Sequence, residues 1–186
     1  MWSQAGGGPP TVPLYKPRSG GDKIEKKDLA LTALLASVYV AAVVTLAPIS
    51  FEVFQIRVAD ILMPLSIIFG IPAIVGLTIG AFIANFASPF GIIDVVGGSV
   101  ANFLASYMAW IIGKRRFRGS WIIAILVENL TITFIVGTYL AYLLTLPFIV
   151  GWFGVFLGSF VSMNVGGYLL LKALSKRLGR SRLISI

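Results

Sequence analysis

The sequence predicts an all-helical membrane protein with six transmembrane helices and both termini in the cytoplasm. Three observations support this. Of the 186 residues, 58% are hydrophobic and only 12% are charged, about half the charged fraction of a soluble domain. Long apolar segments are separated by Pro, Gly or basic residues. The net charge of +8 comes from basic residues at the edges of these segments, which is typical of contact with a lipid bilayer and not with nucleic acid.

Cysteine and histidine are absent from the sequence. The chain therefore cannot form a disulfide, offer a thiol nucleophile, use imidazole as an acid or base, or build an ordinary zinc site. It also has no Gly-rich phosphate loop with Lys and Ser or Thr. These features predict a protein that is not an enzyme, needs no cofactor or metal, and does not hydrolyse nucleotide itself.

We expect three regions along the chain. Residues 1–27 are rich in Gly, Pro and Lys and are predicted to be a disordered cytoplasmic tail. No apolar segment directly follows Met1, so this tail is not expected to be a signal peptide. Residues 28–177 form the six-helix transmembrane domain, and residues 178–186 form a basic cytoplasmic tail.

The apolar segments and their breaks predict each helix in turn. The first helix covers 29–47 and is followed by a more polar segment at 48–60. The apolar run 61–93 is too long for one helix at 1.5 Å per residue, so Gly70 and Pro72 divide it into a second and a third. The fourth helix covers 94–112. The fifth and sixth share 121–171 and are divided near Pro147 and Gly151.

The positive-inside rule favours six helices over five. With five, the basic cluster at 114–118 would lie on the opposite side of the membrane from the lysines before the first helix. With six, every basic residue except Arg57 lies on the cytoplasmic side. Arg57 is the one basic residue that this topology places away from the cytoplasmic side, and its position there needs an explanation.

Small residues recur every fourth position on four predicted helices, and each of these ladders suits close helix packing. Their spacing alone does not separate packing within the bundle from contact with another subunit. The four ladders are Ala33, Ser37 and Ala41; Gly76, Gly80, Ala84 and Ser88; Gly97, Ala101, Ala105 and Ala109; and Gly154, Gly158, Ser162 and Gly166.

Polar side chains at membrane depth are costly, so each is a candidate functional residue. Asp94 and Asn102 share one face of the fourth helix, and Arg57 and Asp60 are spaced to pair. Hydrogen bonding between helices explains the Asn residues as well as ligand contact does. The candidates are Gln55, Arg57, Asp60, Asn85, Asp94, Asn102, Glu128, Asn129 and Asn164.

Around these residues the sequence resembles the QueT family. The resemblance lies in the run FQIRVADILMP at 54–64, then in Gly76, Gly80, Ala84 and Asn85, and in GIIDVVGGS at 91–99. It extends over about 29–176, and its most specific part is 55–99. The chain differs from the family at position 60. The family's Gln-x-Arg-x-x-Glu stretch ends in Glu, and this chain has Asp60 there.

The resemblance implies a substrate-binding S-component of an energy-coupling-factor (ECF) transporter in a prokaryotic plasma membrane. Such a bundle captures a queuosine precursor, or a related 7-deazaguanine, from outside. It then docks on a transmembrane T-component that two cytoplasmic ATPases drive. The resemblance further implies that the loop after the first helix and helices four to six surround the ligand, and that Ala33, Ser37 and Ala41 contact the T-component.

A flat heteroaromatic ligand suits the candidate residues chemically. A carboxylate accepts paired N–H donors, an amide or guanidinium donates to a carbonyl, and an aromatic ring covers the flat face. The acceptors are Asp60, Asp94 and Glu128; the donors are Gln55, Arg57, Asn85, Asn102, Asn129 and Asn164; the rings are Phe51, Phe54, Phe86 and Phe90.

Two alternatives remain at this point. The chain fits an S-component for another vitamin, such as riboflavin, thiamin or biotin, because the same fold carries different pocket residues. A small channel or a structural subunit of a membrane complex is the other. A channel requires a continuous polar path, which the apolar cytoplasmic half of the second and third helices does not supply.

Overall fold

The computed structural model of the chain describes residues 25–46 and 57–183. Within these ranges the regular structure is entirely helical, as predicted. The predicted tail up to residue 24, the segment 47–56 with Gln55, Phe51 and Phe54, and residues 184–186 lie outside them. The helices are α1 (Lys26–Thr45), α2 (Val58–Phe69), α3 (Ile71–Ala87), α4 (Ile92–Gly113), α5 (Ser120–Leu143) and α6, which joins Phe148–Ser159, Phe160–Gly167 and Tyr168–Leu183.

Four of these helices, α1, α4, α5 and α6, are long and apolar enough to cross a membrane. Helices α2 and α3 are also apolar but shorter. The part of the chain that the structure describes is therefore helical throughout its regular structure and has the apolar helices of a membrane protein, and six crossings remain a prediction.

The break between α2 and α3 falls at Gly70, as predicted. Gly70 has φ 60° and ψ −135°, a backbone conformation that glycine adopts without the steric cost of a Cβ. Pro72 lies in the first turn of α3, where a missing N–H costs nothing. Helix α2 begins at Val58, earlier than the predicted 61, and its first part is a 3₁₀ helix that contains Asp60 and Pro64.

Helices α1 and α3 run in the same direction. A Cβ added at Gly76 would lie 3.2 Å from the Thr32 Cα, and one added at Gly80 would lie 3.2 Å from the Ala36 Cα. The two glycines thus meet α1 in chain order, which is the register of parallel helices. A chain that leaves α1 and returns parallel to it in α3 must reverse direction twice, and α2 lies between the two reversals.

Helices α4, α5 and α6 pack as antiparallel neighbours. Thr131 of α5 donates a hydrogen bond to the sulfur of Met108 on α4, and Tyr139 lies against Gly97 nearer the start of α4. Gly151 near the start of α6 lies against Gly137 late in α5, and Asn164 further along α6 bonds Asn129 earlier in α5, so α6 returns along α5.

These directions bring the described basic groups other than Arg57 to one end of the bundle. The start of α1, the α4–α5 connection and the last turns of α6 all lie there. Arg57, at the start of α2, lies towards the opposite end beside Asp94. The grouped residues are Lys26, Lys27, Lys114, Arg115, Arg116, Arg118, Lys172, Lys176 and Arg177.

The four small-residue ladders have different surroundings. Most members of the ladders on α3, α4 and α6 are buried inside the bundle. On α1, by contrast, the buried face consists of Leu35, Ala36, Tyr39 and Val43. The ladder of Ala33, Ser37 and Ala41 is exposed.

Candidate functional site

The first group of site residues surrounds Asp94, in the first turn of α4. A helix N-terminus favours a negative charge. The Arg57 Nη2 lies 3.4 Å from the Asp94 Oδ2, and both side chains are almost fully buried. Tyr139 of α5 donates its hydroxyl to Oδ1, and Asn85 of α3 donates its Nδ2 to the Asp94 carbonyl oxygen at 2.9 Å. Side chains from α3, from α5 and from the residue before α2 therefore converge on one aspartate of α4.

The second group is a chain of hydrogen bonds through Tyr39 of α1. The Tyr39 hydroxyl donates to the Asp60 Oδ1 at 2.7 Å and accepts from the Asn102 Nδ2 at 3.1 Å. All three side chains are buried. Tyr39 thus fixes the carboxylate of α2 and the amide of α4 at the same depth.

The two groups interact through Arg57. Its guanidinium interacts electrostatically with Asp94 and Asp60 and with the hydroxyls of Tyr39 and Tyr139. The predicted proximity of Arg57 and Asp60 is therefore present, although the hydrogen-bonded ion pair described above is with Asp94. Arg57, at the end of the bundle away from the basic groups, is explained as the counter-charge of buried acids.

A third group lies between α5 and α6. The Asn129 Nδ2 donates to the Asn164 Oδ1 at 2.9 Å, and the Thr133 hydroxyl donates to the Asn129 Oδ1 at 3.3 Å. Asn164 belongs to the π-helical segment Phe160–Gly167. Such segments are rare and frequently mark functional sites.

Glu128 differs from the other two buried acids. Its side chain is fully buried, and within the described chain neither Oε1 nor Oε2 has a hydrogen-bond partner. It lies eleven residues before Tyr139, about 16 Å along α5 towards the basic end at 1.5 Å per residue. Asp60 acts on it electrostatically.

Two of the predicted aromatic residues can be located. Phe86 is 66% exposed and packs edge-on against Phe82, whereas Phe90 is partly buried against the core. Gln55 lies outside the described residues, so its predicted role stays a prediction.

Tyr39 and Tyr139 were missed by the sequence reasoning. A tyrosine buried in an apolar helix needs a partner for its hydroxyl, and Tyr139 lies on the helix that also carries Glu128 and Asn129. That rule would have added them to the candidates. It would not have named Asp60 or Asp94 as their partners.

The chemistry that this interior offers is binding by hydrogen bonds and charge. Among the described residues it contains three carboxyl groups and one guanidinium, with amides and hydroxyls between them. No group of three or more His, Cys, Asp or Glu residues suited to a metal ion occurs in the described part of the chain. Because buried carboxyl groups outnumber the guanidinium, the interior favours a ligand that presents hydrogen-bond donors.

Comparisons with known proteins agree on one family. The family model described as QueT transporter matches residues 29–176. The queuosine precursor transporter QueT of Lactococcus lactis subsp. cremoris (strain MG1363) is 26% identical over 171 residues, which cover 86% of this chain and 99% of that relative. No solved structure gives a significant match.

Proposed function

Because the chain belongs to the QueT transporter family, we propose that it is the substrate-binding subunit of an ECF-type importer in the prokaryotic cell membrane. Its substrate in this proposal is a queuosine precursor or a related 7-deazaguanine, captured from outside. The relative from Lactococcus lactis that covers most of the chain is named as a queuosine precursor transporter, which supports the substrate class.

The observation that carries the proposal is the set of buried polar groups inside apolar helices. Burying Asp60, Asp94 and Glu128 away from water is costly, and a transporter that recognises a polar base needs such groups at membrane depth. Glu128 offers two acceptor oxygens without a partner in the described chain. The buried amides of Asn85, Asn102 and Asn129 each carry a second N–H beyond the hydrogen bond that they donate within the fold, so both halves of that recognition are available.

The proposed topology has six crossings with both termini in the cytoplasm. The parallel packing of α1 and α3 supports it, as does the grouping of the described basic residues at one end. In this orientation the Arg57–Asp94 pair lies towards the outer side, where the ligand arrives.

Transport is proposed to require a T-component and two ATPases. The chain has no phosphate-binding loop of its own. The exposed ladder of Ala33, Ser37 and Ala41 is the proposed contact with the T-component, since small residues allow close approach of another helix.

Two measurements on proteoliposomes test the proposal. The purified chain alone should bind radiolabelled 7-deazaguanine derivatives but should not accumulate them against a gradient. Accumulation should appear when the T-component, both ATPases and ATP are added. Accumulation by the chain alone would contradict the proposal.

Competition and mass spectrometry test the ligand class. Excess unlabelled riboflavin, thiamin or biotin should not displace the 7-deazaguanine derivative. Mass spectrometry of the small molecules that co-purify with the chain in mild detergent should identify a 7-deazaguanine. Recovery of one of the three vitamins would mean that this vitamin is the substrate, and the proposed role as an S-component would stand.

A further inference from the structure

Glu128 is the buried acid whose hydrogen-bonding capacity the described chain does not use. Asp94 accepts from Tyr139 and pairs with Arg57, and Asp60 accepts from Tyr39. Glu128 is equally buried, yet both of its oxygens lack a partner. Two of the three buried acids therefore have partners within the fold, and the carboxyl group of Glu128 has no hydrogen-bond partner among the described residues.

Protonation alone does not satisfy this side chain. The ionised form needs donors at both oxygens, and the protonated form needs an acceptor for its proton as well as a donor for its carbonyl oxygen. Neither oxygen has a hydrogen-bond partner among the described residues. A buried polar group left unpaired costs about 1–3 kcal/mol, and more when charged. A ligand that supplies the partners removes this cost on binding.

The neighbours of Glu128 restrict what such a ligand can be. Asp60 interacts with Glu128 electrostatically, and two carboxylates repel each other when both are charged, so a ligand without negative charge suits this region better than an anion. The adjacent Asn129 is engaged with Asn164 and Thr133, which holds this part of α5 against α6. Glu128 itself contributes two acceptor oxygens in one plane, about the spacing of two neighbouring N–H donors.

We propose that Glu128 is the specificity-determining residue of the substrate site and accepts the paired N–H donors on the guanine-like edge of a 7-deazaguanine base. These donors are the ring N–H and the exocyclic amino group beside it. The assignment rests on the function proposed above and goes beyond it by naming the residue that reads this edge. Asp60 and Asp94, which the fold already holds, are then positioning residues and not the readers of that edge.

The test compares two ligands that differ only in the exocyclic amino group. The affinities of 7-deazaguanine and 7-deazahypoxanthine are measured by calorimetry for the full chain in detergent. Glu128→Gln removes one acceptor and introduces a donor at nearly constant volume. Glu25→Gln makes the same change at an exposed position and is the matched control.

The unsubstituted chain and Glu25→Gln should prefer 7-deazaguanine by at least about tenfold, the effect of one hydrogen bond to a charged group. Glu128→Gln should weaken 7-deazaguanine binding about 10–100-fold and reduce the preference to within about threefold. The loss of preference is the decisive readout, because a merely structural role would weaken both ligands equally.

In these affinity measurements, two outcomes would overturn the assignment while leaving the proposed function in place. One is unchanged 7-deazaguanine affinity in Glu128→Gln. The other is equal weakening of both ligands with the preference retained. If the unsubstituted chain binds neither ligand, the substrate class itself is wrong, and this outcome is distinct from the other two.

The ligand-free melting temperature provides a second measurement. Because Glu128 has no hydrogen bond within the described chain to lose, Glu128→Gln should melt at or above the temperature of the unsubstituted chain. Glu128→Met, of similar volume and without an oxygen, should melt higher and bind both ligands weakly and without preference. A lower melting temperature in both variants would overturn the assignment in favour of a structural role.

Discussion

The ladder on α1 and the ladder on α3 share one spacing and have opposite surroundings. Gly76, Gly80 and Ala84 are buried, and the two glycines bring the backbone of α3 against α1. Ala33 and Ser37, on the other side of α1, are exposed. A four-residue repeat of small residues therefore marks a surface that is able to pack closely, and the arrangement of the other helices decides whether it does so within the chain.

The same contrast divides α1 into two faces. Its inner face carries Tyr39, which connects to the acids of α2 and α4, while its outer face carries the exposed ladder. If this division is correct, substitutions should reduce stability most at buried side chains with several hydrogen-bond or packing partners. Substitutions on the outer face of α1 should reduce it least.

Asp94→Asn should have the largest effect. It leaves the buried Arg57 guanidinium without the carboxylate that lies 3.4 Å away, and breaking a buried ion pair typically costs about 3–5 kcal/mol. The free energy of unfolding in detergent should fall by about this amount, with lower ligand affinity. An unfolding free energy within about 1 kcal/mol of the unsubstituted chain would mean that Asp94 is not the main counter-charge of Arg57.

Gly80→Leu should have the second-largest effect on stability. Its Cβ alone would lie 2.9 Å from the Tyr39 Cβ and 3.1 Å from the Ala36 carbonyl oxygen, so α1 and α3 must separate. Overpacking of this kind costs about 1–3 kcal/mol, and more where backbone must move. Thermal unfolding with Ala41→Leu as the matched outer-face control measures the difference. Equal melting temperatures for the two variants would contradict the division into faces.

Tyr39→Phe should have an intermediate effect. It keeps the ring and removes the hydroxyl that joins Asp60 to Asn102. Leaving those buried groups short of a partner should cost about 1–3 kcal/mol in unfolding free energy. Denaturant titration measures this cost. A variant as stable as the unsubstituted chain would show that Tyr39 is not a necessary bridge.

Ala33→Leu and Ala41→Leu should have the smallest effect on the isolated chain. Exposed substitutions usually change stability by less than about 0.5 kcal/mol, so melting temperature and ligand affinity should stay unchanged. Co-purification with the T-component should fall, because the larger side chains hold an approaching helix away. Loss of ligand binding together with assembly would instead indicate an internal packing face.

Much of the fold could be predicted because hydrophobicity and chain breaks act locally. The break at Gly70, the end of α4 before the basic cluster and the division at Pro147 were all predicted from residue type. The start of α2 was not, because the prediction treated Asp60 as a polar residue outside the helix. In the structure Asp60 lies in the first turn of α2, where a negative charge is favoured, and it is also bonded to Tyr39, a contact that the local sequence does not show.

The sequence alone determined that the chain is helical, belongs in a membrane and carries its few polar groups within apolar helices, because composition and periodicity are properties of neighbouring residues. It also identified Asp60, Asp94 and Glu128 as candidates. Only the tertiary structure separated them. Whether a buried carboxylate has a partner depends on side chains from other helices, and Tyr39, Arg57 and Tyr139 reach two of the acids and leave the third open.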